Sequence, residues 1–159
     1  MKDDPSIHPD HAEVAFHPPL LLLAAIGLGF AARWLAMAEF LPSGVALTVG
    51  PMLTAAALGL FLWAVLTMRR GGASIPTGQS TDYIIFGGPY RFSRNPIYLG
   101  MVLLQVGVGV WSNSLWFVGL AALSVVLLTW GVISREERYL ARKFGQPYST
   151  YKERVRRWC

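Results

Sequence analysis

Four uninterrupted apolar runs divide the chain. The first extends from about Pro18 to Leu41, the second from about Val45 to Met68, the third from Pro96 to Trp111 and the fourth from Leu115 to Ile133. Their apolar positions are contiguous, which predicts helices and argues against the two-residue alternation of barrel strands. A hydrocarbon core ~30 Å thick takes about 20 helical residues at ~1.5 Å each. The first two runs reach that length, and the third is short. Only Ser112-Asn113-Ser114 separates the third run from the fourth, so these two are expected to form an antiparallel helical hairpin. The pattern predicts an all-α integral membrane bundle of about four transmembrane helices.

The polar stretches set the organisation. Residues 1–16 read as a cytosolic tail, residues 17–70 as two membrane helices, and residues 71–159 as a loop, a membrane hairpin and a C-terminal cytosolic helix within the same domain. The tail is expected to be mobile. Its acidic residues and missing cleavage site do not resemble a secretory signal, so the first apolar run is expected to stay as a helix. The long loop at 69–95 contains Gly71-Gly72, Pro76, Gly78 and Gly87-Gly88-Pro89. Its apolar patch Tyr83-Ile84-Ile85-Phe86 is expected to fold back over the hairpin. After Ile133, Gly145 terminates one helix and Pro147 opens another. Phe144, Tyr148, Tyr151, Val155 and Trp158 share one helical face, ringed by Lys143, Lys152, Arg154, Arg156 and Arg157. Such a stripe either lies in the headgroup plane or packs on the protein's own loop.

Composition agrees with a membrane protein: 53% of the 159 residues are hydrophobic, 14% are charged, and mean hydropathy is +0.42. The net charge of +5 does not point to nucleic acid, because the basic residues flank apolar runs instead of forming one polar face. Twelve of the 14 Lys and Arg lie in 69–95 or after 133. The positive-inside rule then places both regions, and both termini, in the cytosol. The single cysteine, Cys159, excludes an internal disulfide and a thiolate zinc site. His8, His11 and His17 have no accompanying Asp/Cys constellation, so no metal is expected.

The chemistry concentrates in two clusters. Gly88-Pro89-Tyr90-Arg91-Phe92-Ser93-Arg94-Asn95-Pro96-Ile97-Tyr98 runs straight into the third apolar run. Asn95 is expected to cap that helix and Pro96 to occupy its first turn. The helix N-terminus with Arg91 and Arg94 suits a carboxylate, though Arg and Tyr also flank membrane helices as plain anchors. The second cluster, Arg135-Glu136-Glu137-Arg138, follows the fourth run. A hairpin brings its two ends together, so the clusters are expected to meet. The adjacent carboxylates need cationic partners: Arg135 and Arg138 neutralise them and Ser134 forms a capping box with Glu137, or else one carboxylate faces ribose hydroxyls or a cationic ligand. Arg33, inside the first run, must snorkel or pair, with Glu39 as a candidate partner. Gln105 is expected to hydrogen-bond between helices.

These residues carry a resemblance. Gly88-Pro89-Tyr90, Arg94-Asn95-Pro96-Ile97-Tyr98, Glu136-Glu137-x-x-Leu140 and Phe144-Gly145-x-x-Tyr148-x-x-Tyr151-x-x-x-Val155, in that order over roughly residues 80–158, resemble the isoprenylcysteine carboxyl methyltransferase and phospholipid methyltransferase family of integral membrane enzymes. The resemblance implies S-adenosylmethionine as methyl donor and a lipophilic acceptor, with the site on the cytosolic side, here of a bacterial inner membrane. It implies that Tyr83, Ile84, Ile85, Tyr90, Arg94, Asn95, Pro96, Ile97, Tyr98 and Glu136 bind the cofactor. Arg135 and Glu137 are the expected catalytic residues. Asn95-Pro96 stands where the prenylcysteine and phospholipid enzymes usually have His-Pro; Asn keeps the hydrogen bonding but does not titrate. The rival readings are a membrane reductase using NADPH and a non-enzymatic membrane scaffold.

Overall fold

The structure, a computed structural model, describes residues 14–71 and 84–159. These form helices α1 (Pro18–Leu35), α2 (Ser43–Arg70), α3 (Pro96–Trp111), α4 (Leu115–Leu128), α5 (Ser134–Phe144) and α6 (Gln146–Arg154), with no strand among the described residues. A 3-10 turn at Gly88–Arg91 precedes α3, and a π-helical turn at Thr129–Ile133 joins α4 to α5. Among the described residues, three stretches are long and apolar enough to cross a bilayer: Pro18–Leu35, Ser43–Arg70 and the continuous Leu115–Phe144. The apolar α3 has 16 residues. The fourth predicted run therefore does not stop at Ile133 but continues through the π turn into the polar α5.

The α2–α3 contact is close because glycine faces it. A Cβ at Gly107 would sit 2.7 Å from the backbone nitrogen of Thr54. The core behind α3 consists of Tyr98, Met101, Val102, Ala121, Leu128, Val132 and Ile133. Within it the Ser124 hydroxyl donates to Gln105 Oε1 at 3.0 Å, the interhelical bond expected of a buried amide.

The predicted first run is cut short at Leu35. The backbone beyond it is engaged by the α3–α4 turn instead of continuing a helix. The Leu115 amide donates to the Ala38 carbonyl at 2.9 Å, and Trp116 Nε1 donates to the Ala36 carbonyl at 2.8 Å. Asn113 fastens the junction. It adopts φ 48°, a region that asparagine tolerates better than most residues. Its Oδ1 accepts from the amides of Phe40 and Leu41, and its Nδ2 donates to the Leu41 carbonyl. Arg33 is placed here too: its Nη1 donates to the Asn113 carbonyl at 3.2 Å, a backbone oxygen in place of the expected Glu39. Asn113→Ala leaves three part-buried backbone groups of Phe40 and Leu41 without their partner and strains the turn. It is expected to lower stability by about 2 kcal/mol, read as a fall in the thermal midpoint of the detergent-solubilised protein.

The opposite end of the bundle carries the polar clusters. Residues 1–13 of the predicted tail lie outside the described residues, but the segment leading into α1 is docked. The Ala15 amide donates to the Gly131 carbonyl at 3.0 Å, and the Phe16 ring rests on Gly131. The π turn satisfies itself locally, with the Ser134 hydroxyl donating to the Thr129 carbonyl at 2.6 Å. That bond removes the capping box foreseen between Ser134 and Glu137. The helical backbone runs unbroken from the π turn into α5, so Ser134 has no free amides to cap. Gly145, at φ 58°, separates α5 from α6 as its sequence position suggests. The aromatic stripe ends sooner than its spacing predicts. Helix α6 stops at Arg154, Val155 is extended, and Tyr148 and Tyr151 are buried against the protein itself.

Candidate active site

The start of α3 and the start of α5 meet. The Tyr98 hydroxyl, in the first turn of α3, donates to Glu136 Oε1 at 2.8 Å. The two residues are 38 apart in sequence, and the α3–α4 hairpin with its π turn supplies the return path. A π turn inserts one extra residue per turn and rotates whatever follows it. Here it lies one residue before the acidic pair's helix, so it sets which carboxylate faces which neighbour.

The neighbouring carboxylate does something different. Glu137 is 6% exposed, and both its oxygens are engaged. Arg157 grips it with two parallel bonds, Nε to Oε1 at 3.1 Å and Nη2 to Oε2 at 2.7 Å. Arg94 Nη2 lies 3.1 Å from Oε1. The carboxylate in turn raises the affinity of Arg157 for its proton, chiefly through those hydrogen bonds. Two guanidinia on one buried carboxylate satisfy its lone pairs. Arg135, the other residue expected to be catalytic, is exposed on α5.

The C-terminal segment completes the wall. The Arg94 amide donates to the Arg156 carbonyl at 3.0 Å. Asn95 Nδ2 donates to the Arg157 carbonyl at 3.0 Å, and the Ser93 hydroxyl reaches the same oxygen at 3.3 Å. Asn95 does stand at the N-cap of α3, but its side chain does not cap the helix, because its amide is committed to the chain end. Trp158 Nε1 donates to Thr129 Oγ1 at 3.3 Å, pinning the end of the chain to the π turn.

Among the remaining site residues expected from the sequence, Pro96 is fully buried, and Ile97 packs against the core. Ile84 and Ile85 are half-buried, with Ile85 against Gly71 at the end of α2. Ile85 thus folds onto α2 and Phe86 onto α6. Tyr83 lies outside the described residues.

Several buried polar atoms at this end have no partner among the described residues. They are the Tyr90 hydroxyl and Nε and Nη1 of Arg94. Tyr90 is 7% exposed, and burial, then the neighbouring Tyr151 and Glu136, push its proton affinity up. Tyr148 is raised as well, first by burial and then by Glu137, against the opposing Arg94 beside it. Burial pushes Tyr151 up to about 12, with Arg94 opposing. All three phenols therefore keep their protons and act as donors at neutral pH. Tyr151 uses its hydroxyl to bond the Tyr90 carbonyl at 2.6 Å.

Arg157, Tyr148 and Ser93 were not foreseen as site residues. The aromatic spacing marked Tyr148, but nothing local tells Arg157 from the other basic residues of the tail. Its only signal is the buried acid it pairs with, which is a tertiary fact.

Comparison with known proteins gives one family and several relatives. Residues 45–147 match the family described as phospholipid methyltransferase. An uncharacterized protein of Haemophilus influenzae is 38% identical over 63 residues, which is 98% of that protein and 39% of this chain. The cobalt-zinc-cadmium resistance protein CzcN of Cupriavidus metallidurans is 31% identical over 104 residues, and the nickel-cobalt-cadmium resistance protein NccN of Alcaligenes xylosoxydans xylosoxydans is 30% identical over 105. Each alignment covers 65% of this chain but only 47% and 45% of those two proteins, so the chain spans about half their length.

Proposed function

Because the chain belongs to the phospholipid methyltransferase family, we propose that it transfers a methyl group from S-adenosylmethionine to a lipophilic acceptor arriving from the bilayer, at a cytosolic site. The observation that carries this reading is the Tyr98–Glu136 contact, flanked by the unpartnered hydroxyl of Tyr90 and the unpartnered nitrogens of Arg94. These groups fit the donor chemically. A sulfonium nucleoside with an amino acid tail presents a carboxylate, an ammonium and ribose hydroxyls. Arg94 and the α3 N-terminus suit the carboxylate, and Glu136 suits the hydroxyls or the ammonium.

When bound, the sulfonium supplies an electrophilic methyl group and a neutral thioether leaving group. The chain's own contribution is placement, since an in-line displacement gains most from held geometry. Tyr98 fixes the Glu136 carboxylate. Glu137, tied to Arg94 and Arg157, positions Arg94 instead of moving protons. Asn95 and Ser93 hold the chain end that supplies Arg157. Exposed Arg135, beside Glu136, is the cation assigned to the acceptor's polar head.

Purified protein incubated with methyl-labelled donor and a lipid extract is expected to move label into the organic phase. Glu136→Ala is expected to reduce that transfer by roughly one to two orders of magnitude at sub-saturating donor. Donor-binding protein that labels no lipid fraction would overturn the assignment of a lipophilic acceptor.

A further inference from the structure

A second polar feature lies outside the Glu136 site. Phe86, Arg91, Gln146, Thr150, Tyr151 and Arg154 line a groove of about 750 Å³ between the 3-10 turn and α6. Tyr151 is the partition: its ring meets Phe86 edge-on at 5.1 Å, while its hydroxyl bonds the Tyr90 carbonyl. Arg91 and Arg154 come from different elements, both are exposed, and neither has an ion-pair partner among the described residues. No acid is among the lining residues.

The level of the groove follows from Gly88. A Cβ there would sit 2.9 Å from Thr67 Oγ1 and 3.3 Å from Trp63 Nε1, so the 3-10 turn is pressed against the last turns of α2. That helix ends at Arg69-Arg70, about one turn further on. Arg91 therefore stands where an apolar helix gives way to charge, which is the headgroup region of a bilayer. Phe86 and Phe92 flank it, 49% and 70% exposed. Exposed aromatics beside an arginine at that depth match an interface that is apolar on one side and anionic on the other.

We infer that this groove seats the headgroup phosphate of an anionic phospholipid, held between Arg91 and Arg154 with Phe86 and Phe92 against the acyl boundary. Two cations and no lining acid complement a net negative headgroup better than a zwitterionic one, whose ammonium would find no carboxylate here. The apolar flanks favour a lipid over free phosphate. The inference is independent of the methyltransferase reading.

Native mass spectrometry of the detergent-purified protein, titrated with phosphatidylglycerol, phosphatidylcholine or inorganic phosphate, tests it. Phosphatidylglycerol is expected to bind at the lowest concentration. The R91Q/R154Q double variant is expected to bind it roughly tenfold more weakly. Thr150→Glu, which adds negative charge to the groove wall, is expected to have the same direction of effect. Lys152→Gln, on α6 but outside the lining, is expected to leave binding unchanged. Equal retention by wild type and both groove variants would overturn the proposal. So would an equal loss in Lys152→Gln, which would mean a diffuse basic surface, or saturable phosphate binding without lipid preference. S-adenosylmethionine binding by the unmutated protein, read on the same samples, shows separately whether the methyltransferase reading fails.

Discussion

Glu136→Ala is expected to weaken S-adenosylmethionine binding by roughly one to two orders of magnitude, the loss typical of a hydrogen bond to a charged group. The carboxylate accepts from Tyr98 at 2.8 Å with Oε1. Its partner residue in sequence, Glu137, has both oxygens on arginines. On the proposed reading the two acids divide the work: Glu136 meets the ligand and Glu137 holds the structure. Tyr98→Phe removes the donor that fixes Glu136 and is expected to weaken binding in the same direction by a smaller factor. Calorimetry on folded, detergent-solubilised variants reads the order. If Glu137→Ala weakened donor binding more than Glu136→Ala at a temperature where both are folded, the roles given to the two carboxylates would be reversed.

Glu137→Ala is instead expected to act on stability, lowering it by about 3–5 kcal/mol, because removing one member of a buried ion pair leaves the other uncompensated. The stranded group is Arg94, whose side chain is 9% exposed and whose Nε and Nη1 already have no partner among the described residues. Arg157→Ala is expected to cost less. Its side chain is 38% exposed, and Arg94 remains beside the carboxylate. The ordering of thermal midpoints, wild type above Arg157→Ala above Glu137→Ala, is the measurement. A Glu137→Ala protein as stable as wild type would show that Arg94 finds water or another acceptor in place of the carboxylate.

What the sequence made legible was whatever depends on local pattern. The apolar runs at Pro18, Val45, Pro96 and Leu115 announced helices, and Ser112-Asn113-Ser114 between two of them announced the hairpin. That hairpin alone brought Tyr98 towards Glu136. The errors lie where long-range contacts override local propensity. Residues 36–41 are apolar enough to extend α1, but the α3–α4 turn claims their backbone through Asn113, Leu115 and Trp116. Asn95 has the chemistry of a helix cap, yet its amide is drawn to the Arg157 carbonyl. Ser134-Arg-Glu-Glu137 spells a capping box, but the helix runs through it, so the box has nothing to satisfy. The stripe Tyr148, Tyr151, Val155, Trp158 kept helical spacing past the point where the backbone becomes extended. Trp158 reaches Thr129 from the non-helical segment after α6. Arg157 was invisible for a related reason: its importance lies in an acid 20 residues away that the fold buries beside it.

Hydrogen–deuterium exchange of the purified protein, with and without S-adenosylmethionine, asks where the ligand sits. Slowed exchange is expected in peptides covering residues 84–98 and 134–140, and in the chain end around Arg157, with the 36–42 and 112–115 segments at the far end of the bundle unchanged. Protection confined to that far end, or none at saturating donor, would contradict a nucleoside held between Tyr98 and Glu136.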